Sequence, residues 1–424
     1  METLIRFLRD SFTPRVNKLT SNDWFASVQT AVLASIPFIL VGSLITLVTL
    51  IPGVSDAVPS LSRISDFTFG VIGLYIAFLI PYTLMEKKKH SSQKVLAGLA
   101  SIGIFLMLGP VRPHGDTLVL DFDRFGSAGM FVAIIGGLFV ALVMHLVARH
   151  SFFDDDTALP SFIINWFDSL LPLFGLTAAA WALVYPLKID VFDVITAALS
   201  PLGTIAGSFW GYVLLSFAIS FLYSFGISGW FVMPVILPVW LQAINENAAA
   251  VAAGHPATHI QTQEVAIVAF DAWGGIGFTM GLTILMSFFA KSQRLRIIGR
   301  ATGVPSLFNI NEPVVFGAPI AYNPLLMVPM WIISLVVPLV TWFAFRTGLA
   351  EVPSKVFTIW YLPYPISTFI TSNLGGVLVV IGLLALTTLI WFPFFRVYDL
   401  QEWRKEQTEH EDAEQPVATA ADPA

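Results

Sequence analysis

Cysteine is absent from the 424 residues. That excludes disulfides, thiolate metal sites and any phosphocysteine carried on this chain. Charge is scarce as well: 12% of residues are charged against 56% hydrophobic. A soluble chain of this length needs about twice that share of charge to cover its surface. No Ser/His/Asp or Cys/His arrangement stands out for nucleophilic catalysis. The Gly-rich run "GGIG" at 274–277 has no Lys-Ser or Lys-Thr after it, so it is no phosphate loop. A net charge of −6, much of it near the C-terminus, gives no basic footprint for nucleic acid. There is no convincing internal repeat.

What is present is apolar length. Mean hydropathy is +0.77, and apolar stretches longer than about 18 residues recur from Trp24 almost to Phe395. They fall near 24–51, 67–85, 95–110, 129–148, 162–186, 205–229, 230–244, 265–290, 314–345 and 376–395. This predicts an all-α polytopic membrane protein with about ten transmembrane helices. The first stretch follows a basic leader and exceeds signal-peptide length, so it reads as a retained span. Basic clusters sort the topology: Arg6, Arg9, Arg15 and Lys18; Lys87, Lys88, Lys89 and Lys94; Lys291, Arg294, Arg296 and Arg300; Arg396, Arg404 and Lys405. Positive charge collects on the cytoplasmic side, which places both termini there. The loops 52–66 and 111–127 suit the outside.

The two halves differ in texture. Residues 1–188 read as continuous scaffold spans without central charge. Asp190, Asp193 and the apolar residues between them suggest an amphipathic linker helix at the membrane surface. Residues 189–397 are broken repeatedly by Gly and Pro: "SFGISGW", "AWGGIGFTMG", "NEPVVFGAPIAYNP", "WYLPYPISTF". Non-helical backbone at membrane depth survives only where protein buries it or a cavity adjoins it. Paired interruptions point to a binding site on two re-entrant hairpins. Residues 398–424 are charged, then rich in Ala and Pro, and read as a disordered cytoplasmic tail.

Glu312 is the leading candidate, because an ionised carboxylate at membrane depth costs at least about 2–3 kcal/mol. The plainer reading is a cap on a broken helix end. Asn309, Asn311 and Asn323 join it as a polar set suited to hydroxyl-rich ligands, although Asn311 also fits a turn before Pro313. Ser228 and Thr279 read either as ligands or as hydroxyls bonding back to their own helix. Gly274, Gly275 and Gly277 permit close ligand approach or tight helix packing. Trp360 suits stacking on a sugar ring or an interfacial aromatic belt. Asp271 is a cavity acid or an interfacial residue. Asp154–Asp156 read as a solvated boundary cluster, and His255 with His259 as loop histidines lacking a third metal ligand. No metal and no cofactor is expected.

At "AKSQRLRIIGRATGVPSLFNINEPVVFGAPIAYNPLLMVP" (290–329) the chain resembles a phosphotransferase-system sugar permease, the enzyme IIC component of the lactose/cellobiose family. The resemblance extends over most of the chain. "FLRDSFTPRVNKLTSNDWFASVQTAVLASIPFILVGSL", "LPSFIINWFDSLLP" (159–172), "IWYLPYPISTFITSN" (359–373) and "FPFFRVYDLQ" (392–401) are similar to other family segments. It implies a homodimer in the bacterial inner membrane, with N-terminal spans at the interface and a C-terminal half that carries the sugar in an elevator-like step. In the family, a partner IIB bears a phosphocysteine and phosphorylates the sugar's 6-hydroxyl on the cytoplasmic side. The chain's own part would be transport, from a site that supports phosphoryl transfer by positioning and charge. The family glutamate maps onto Glu312, which would bind that hydroxyl. Asn311 and Ser228 would hydrogen-bond the sugar, a β-glucoside or disaccharide being the kind the resemblance suggests.

Two departures mark this chain. The family's Gly-Ile-His-Gly stands here as Gly226-Ile227-Ser228-Gly229, and its Gly-Gly-Ser-Gly as Gly274-Gly275-Ile276-Gly277. Serine supplies neither a cationic donor nor a group titrating near neutral pH. The resemblance therefore leaves two transport readings, one coupled to a separate IIB and one a facilitator that has lost phosphoryl transfer. A sugar sensor that transports nothing is a third, weakly supported because the tail carries no evident signalling domain.

Overall fold

The computed structural model describes residue 18 and residues 21–49, 58–114, 117–149, 160–318 and 320–414. Arg6, Arg9, Arg15 and Asp154–Asp156 lie outside the described residues, as do residues 52–57 of the first expected outside loop.

Helices dominate. The first group is α1 (Asp23–Thr49), α2 (Ile72–Lys87), α3 (Lys94–Leu108), α4 (Met130–Val147) and α5 (Ser161–Val184). A small antiparallel hairpin, β1 (Val111–His114) with β2 (Thr117–Leu120), joins α3 to the approach of α4. Then come α6 (Val191–Gly207), α7 (Phe209–Ser224) and α8 (Met233–Ala252). After a π-helical turn at Glu264–Ala269 follow α9 (Met280–Phe289), α10 (Gln293–Leu307), α11 (Glu312–Gly317), α12 (Pro324–Arg346), α13 (Tyr364–Thr371) and α14 (Leu374–Glu414). Among the described residues, seven helices are long and apolar enough to cross a membrane: α1, α2, α4, α5, α8, α12 and α14. The shorter apolar helices α3, α6, α7 and α9 accompany them. The chain is a helical membrane protein.

Two large cores divide it. One gathers Ile72, Ile76, Ile80, Met130, Val140 and Met144 with neighbours from α1, α3 and α5. It reaches beyond residue 188 to Phe192 on α6 and to Leu237 and Leu241 on α8. The other runs from Tyr212 to Tyr398 and includes Phe270, Phe278, Val314, Met330, Tyr364 and Trp391. These helices are apolar on nearly every face, as expected where one side meets protein and the other lipid.

Helix breaks follow local chemistry. The expected 205–229 span is two elements, because Ser208 turns extended and its hydroxyl accepts from Gly211 N at 3.0 Å to start α7. Asp190 caps α6 by accepting from Asp193 N at 3.1 Å. Arg124 clamps this start, reaching Asp190 and Asp193 at 2.9 Å each, with its guanidinium 4.3 Å from the Phe192 ring. The expected disordered tail is corrected in part: residues 398–414 continue α14 as helix. Their acidic side chains find backbone donors at the start of α10. Asp399 accepts from Lys291 N at 2.8 Å and Ser292 N at 2.9 Å, and Glu406 from Gln293 N and Arg294 N at 2.9 and 2.8 Å. A disordered reading missed that anchorage, which only tertiary structure supplies.

Candidate functional site

The site begins with a glycine turn. Gly274, Gly275, Gly277 and Phe278 all take positive φ, so the chain between the π turn and α9 coils through left-handed backbone that glycine alone adopts cheaply. A Cβ on Gly275 would run into the Asn311 side chain, and one on Gly277 would meet Met330. The glycines thus allow two broken segments to meet; they pack protein on protein.

Two asparagines fasten that meeting. Asn309, itself at φ +64°, accepts from Gly274 N at 3.1 Å and donates to the carbonyls of Trp360 and Leu362 at 2.6 and 2.8 Å. Asn311 donates to the Ile276 carbonyl at 2.8 Å and accepts from the Tyr223 hydroxyl at 3.0 Å. Both are buried, at 7% and 4% exposure. Broken helices leave orphan backbone groups, and these side chains satisfy them.

Glu312 differs. It opens α11 one residue after Asn311, with Pro313 beside it in the first turn, where a missing N–H costs nothing. Its side chain is exposed into a cleft of about 100 Å³, and no described residue hydrogen-bonds or ion-pairs its carboxylate. Tyr223, Ser228, Trp230, Ile276, Asn309 and Trp360 help to line this cleft. Trp230 and Trp360 stand edge to face, with centroids 6.1 Å apart. The result is one unpartnered carboxylate among aromatic faces, a few convergent polar groups on an otherwise apolar lining.

The structure sorts the sequence candidates. Glu312, Ser228, Asn311 and Trp360 come together in the cleft. Ser228 is exposed there and caps the turn at Gly229–Val232, accepting from Trp230 N at 3.3 Å. Asn311 lines the cleft, and its bonds to Ile276 and Tyr223 also hold the frame. Thr279 is fully buried and donates to the Gly274 carbonyl at 2.6 Å, and Asn323 caps α12 by accepting from Leu325 N at 3.1 Å. Neither lines the cleft, and Gly277 lies in the wall of a neighbouring cavity. Tyr223 and Trp230 were not foreseen, being indistinguishable in sequence from other membrane aromatics.

Other candidates resolve away from the cleft. Asp271 accepts from the Tyr212 hydroxyl and from Thr341 Oγ1, the latter at 2.9 Å. Glu264, not singled out in the sequence, is buried in the π turn and accepts from Phe357 N at 3.0 Å. His259 pairs with Glu246 at 2.9 Å, and that hydrogen bond raises its pKa above the ordinary histidine value. No cluster of three metal-ligating side chains occurs among the described residues.

Comparison with known proteins gives a consistent assignment. Residues 29–334 match the family "Phosphotransferase system, EIIC". The chain is 27% identical to the lichenan permease IIC component of Bacillus subtilis, over 99% of this chain and 98% of that one. It is 27% identical to the cellobiose-specific EIIC component of Geobacillus stearothermophilus, over 96% and 97%. The crystal structure of ChbC, the IIC component of the N,N'-diacetylchitobiose-specific phosphotransferase system, superposes with a TM-score of 0.85 at 28% identity. That match covers 95% of this chain and 99% of ChbC.

Proposed function

The chain belongs to the EIIC family of the phosphotransferase system, the sugar permeases of cellobiose, lactose and β-glucoside type, and on that premise we propose that it carries a sugar on Glu312. The supporting observation is the carboxylate itself. Glu312 faces a cleft with no protein partner, while each neighbouring asparagine is committed to backbone. A carboxylate accepts strong hydrogen bonds from hydroxyls, and the Trp230–Trp360 pair offers apolar faces for the C–H side of a sugar ring.

In this reading the sugar's 6-hydroxyl donates to Glu312. On the cytoplasmic side that oxygen attacks the phosphorus of a phosphocysteine on a separate IIB protein. The P–O bond forms as the P–S bond breaks, and Glu312 takes the hydroxyl proton. The permease contributes orientation and charge, which carry most of the rate in phosphoryl transfer. The protein works as a homodimer in the inner membrane with both termini cytoplasmic. The core built on α9–α14 moves against the other in an elevator-like step.

A second reading, an uncoupled facilitator, is favoured by one observation. Ser228 and Ile276 lie on the same cleft wall, and the Ile276 Cδ1 packs where a Cβ of Gly229 would sit. The cleft lining holds no histidine, and besides Ser228 its hydroxyl on Tyr223 is committed to Asn311. Tracer flux into vesicles, with and without phosphorylated IIB, separates the readings. Phosphorylated sugar inside supports coupling, free sugar inside supports the facilitator, and no flux sinks both.

A further inference from the structure

One carboxyl beside the Glu312 cleft has no task in either reading. Asp271 follows the π turn, and its side chain accepts from the Tyr212 hydroxyl of α7 and, at 2.9 Å, from Thr341 Oγ1 of α12. The other titratable group facing it is Tyr364 of α13, whose hydroxyl accepts from Ala272 N at 3.0 Å. No described cation pairs with Asp271. A carboxylate without a cation is expensive in apolar surroundings. The protonated acid is neutral, and the same two hydroxyls satisfy it, because a hydroxyl both donates and accepts. The site suits either state.

Its surroundings suit water. Asp271 is half-buried and lines a cavity of about 40 Å³ among α7, α8 and residues 261–277, room for about two or three waters and for nothing larger. Trp240 and Gln261 line the same cavity, and neither Trp240 Nε1 nor Gln261 Oε1 has a hydrogen-bond partner among the described residues. These residues are 1% and 4% exposed. Buried donors and acceptors are nearly always paired, and water that accepts from the indole and donates to the amide answers both. Gln261 also lines a cleft of about 600 Å³ among α4, α6 and α8, where His259 pairs with Glu246. At its other end the small cavity shares Ile219, Ile267, Ala272 and Ile276 with the Glu312 cleft. Asp271 thus stands between a wide cleft and the sugar site.

We propose that Asp271 is a proton-binding site and that this chain moves a proton together with its sugar; this rests on the reading of the Glu312 cleft as the sugar site. A hydronium in the small cavity gives its proton to Asp271 Oδ1 and becomes water. The new O–H donates to Thr341 while Tyr212 goes on donating to Oδ2. After the core has moved, the same proton returns to water on the far side. A facilitator alone only equilibrates its sugar, and a proton running down its gradient supplies the drive that phosphoryl transfer would otherwise give.

The full chain in sealed vesicles tests this without IIB, with the membrane potential clamped, labelled cellobiose or lactose outside and a pH dye inside. Wild type should acidify the interior as sugar enters. A pH step of about one unit, acid outside, should raise internal sugar about tenfold for one proton per sugar. Asp271→Asn keeps shape and hydrogen-bonding capacity but binds no proton. It should lose the acidification and the response to the pH step, sugar then reaching equal levels on both sides. A merely structural Asp271 would leave both responses in place in that variant, which overturns the proposal. Should Asp271→Asn not fold, Gln261→Met removes the water's acceptor and should slow acidification and pH-driven uptake about tenfold; wild-type rates there overturn the proposal too. Sugar entry without acidification in wild type, or entry only with phosphorylated IIB, overturns the proton site and leaves the Glu312 reading intact. No entry under either condition sinks both.

Discussion

The two cores solve the same solvation problem differently. In α1–α5 the backbone satisfies itself within long helices, and polar side chains mostly bond back one turn, as Thr177 does to the Leu173 carbonyl at 2.8 Å. Across the broken region, distant segments are cross-linked. Asn309 spans to 274, 360 and 362; Ser367 reaches the Val268 carbonyl at 2.7 Å; Asn247 reaches the His259 and Pro353 carbonyls at 2.8 and 2.9 Å. Interrupting a membrane helix creates orphan amides and carbonyls, and side chains must answer them. A polar residue in a broken stretch is therefore framework first. Glu312 stands out because no described residue uses it.

Substitutions can break or sharpen that contrast. The largest effect is expected for Asn309→Ala, which strands an amide and two carbonyls; unfolding in detergent should show a loss of about 3 kcal/mol. Thr177→Ala on the exposed face of α5 should cost less than about 0.5 kcal/mol, and equal losses would erase the distinction. Next comes Glu312→Gln, which should cut sugar uptake by about 10–100-fold, the worth of a charged hydrogen bond. Its unfolding temperature should not move, and a large drop would make Glu312 framework after all. Ser228→Ala removes a long cap and should cost about 0.5–1 kcal/mol.

The smallest effect concerns pH. Hydrogen bonding to Glu246 raises the His259 pKa. A group raised on folding adds stability that is full below its unfolded value, about 6.5, and is lost as pH rises through the folded value. Stability should fall across that window by no more than about 0.5 kcal/mol, given the exposure of the pair. The step should vanish in His259→Gln.

Much of this was legible in sequence, unevenly. Apolar length located the long helices, and Gly and Pro located the breaks. Glu312 was legible because a carboxylate at depth is expensive. The roles of Asn311, Thr279 and Asn323 were not, because polarity alone does not say whether backbone or ligand will claim a side chain. Residues 398–414 show the same limit, since Asp399 and Glu406 acquire their meaning only from α10, about 110 positions earlier. Tyr223 and Trp230 carried no signal among so many aromatics.

The asparagine weld at residue 309 bears on how choosy the cleft will be. Three stretches of its wall are tied through one side chain, so the pocket meets its guest already shaped. Such a pocket loses little conformational entropy on binding, and it adapts poorly to a ring with one hydroxyl turned the other way. A panel of epimeric sugars should accordingly yield a short list of binders, separated by steep steps in affinity.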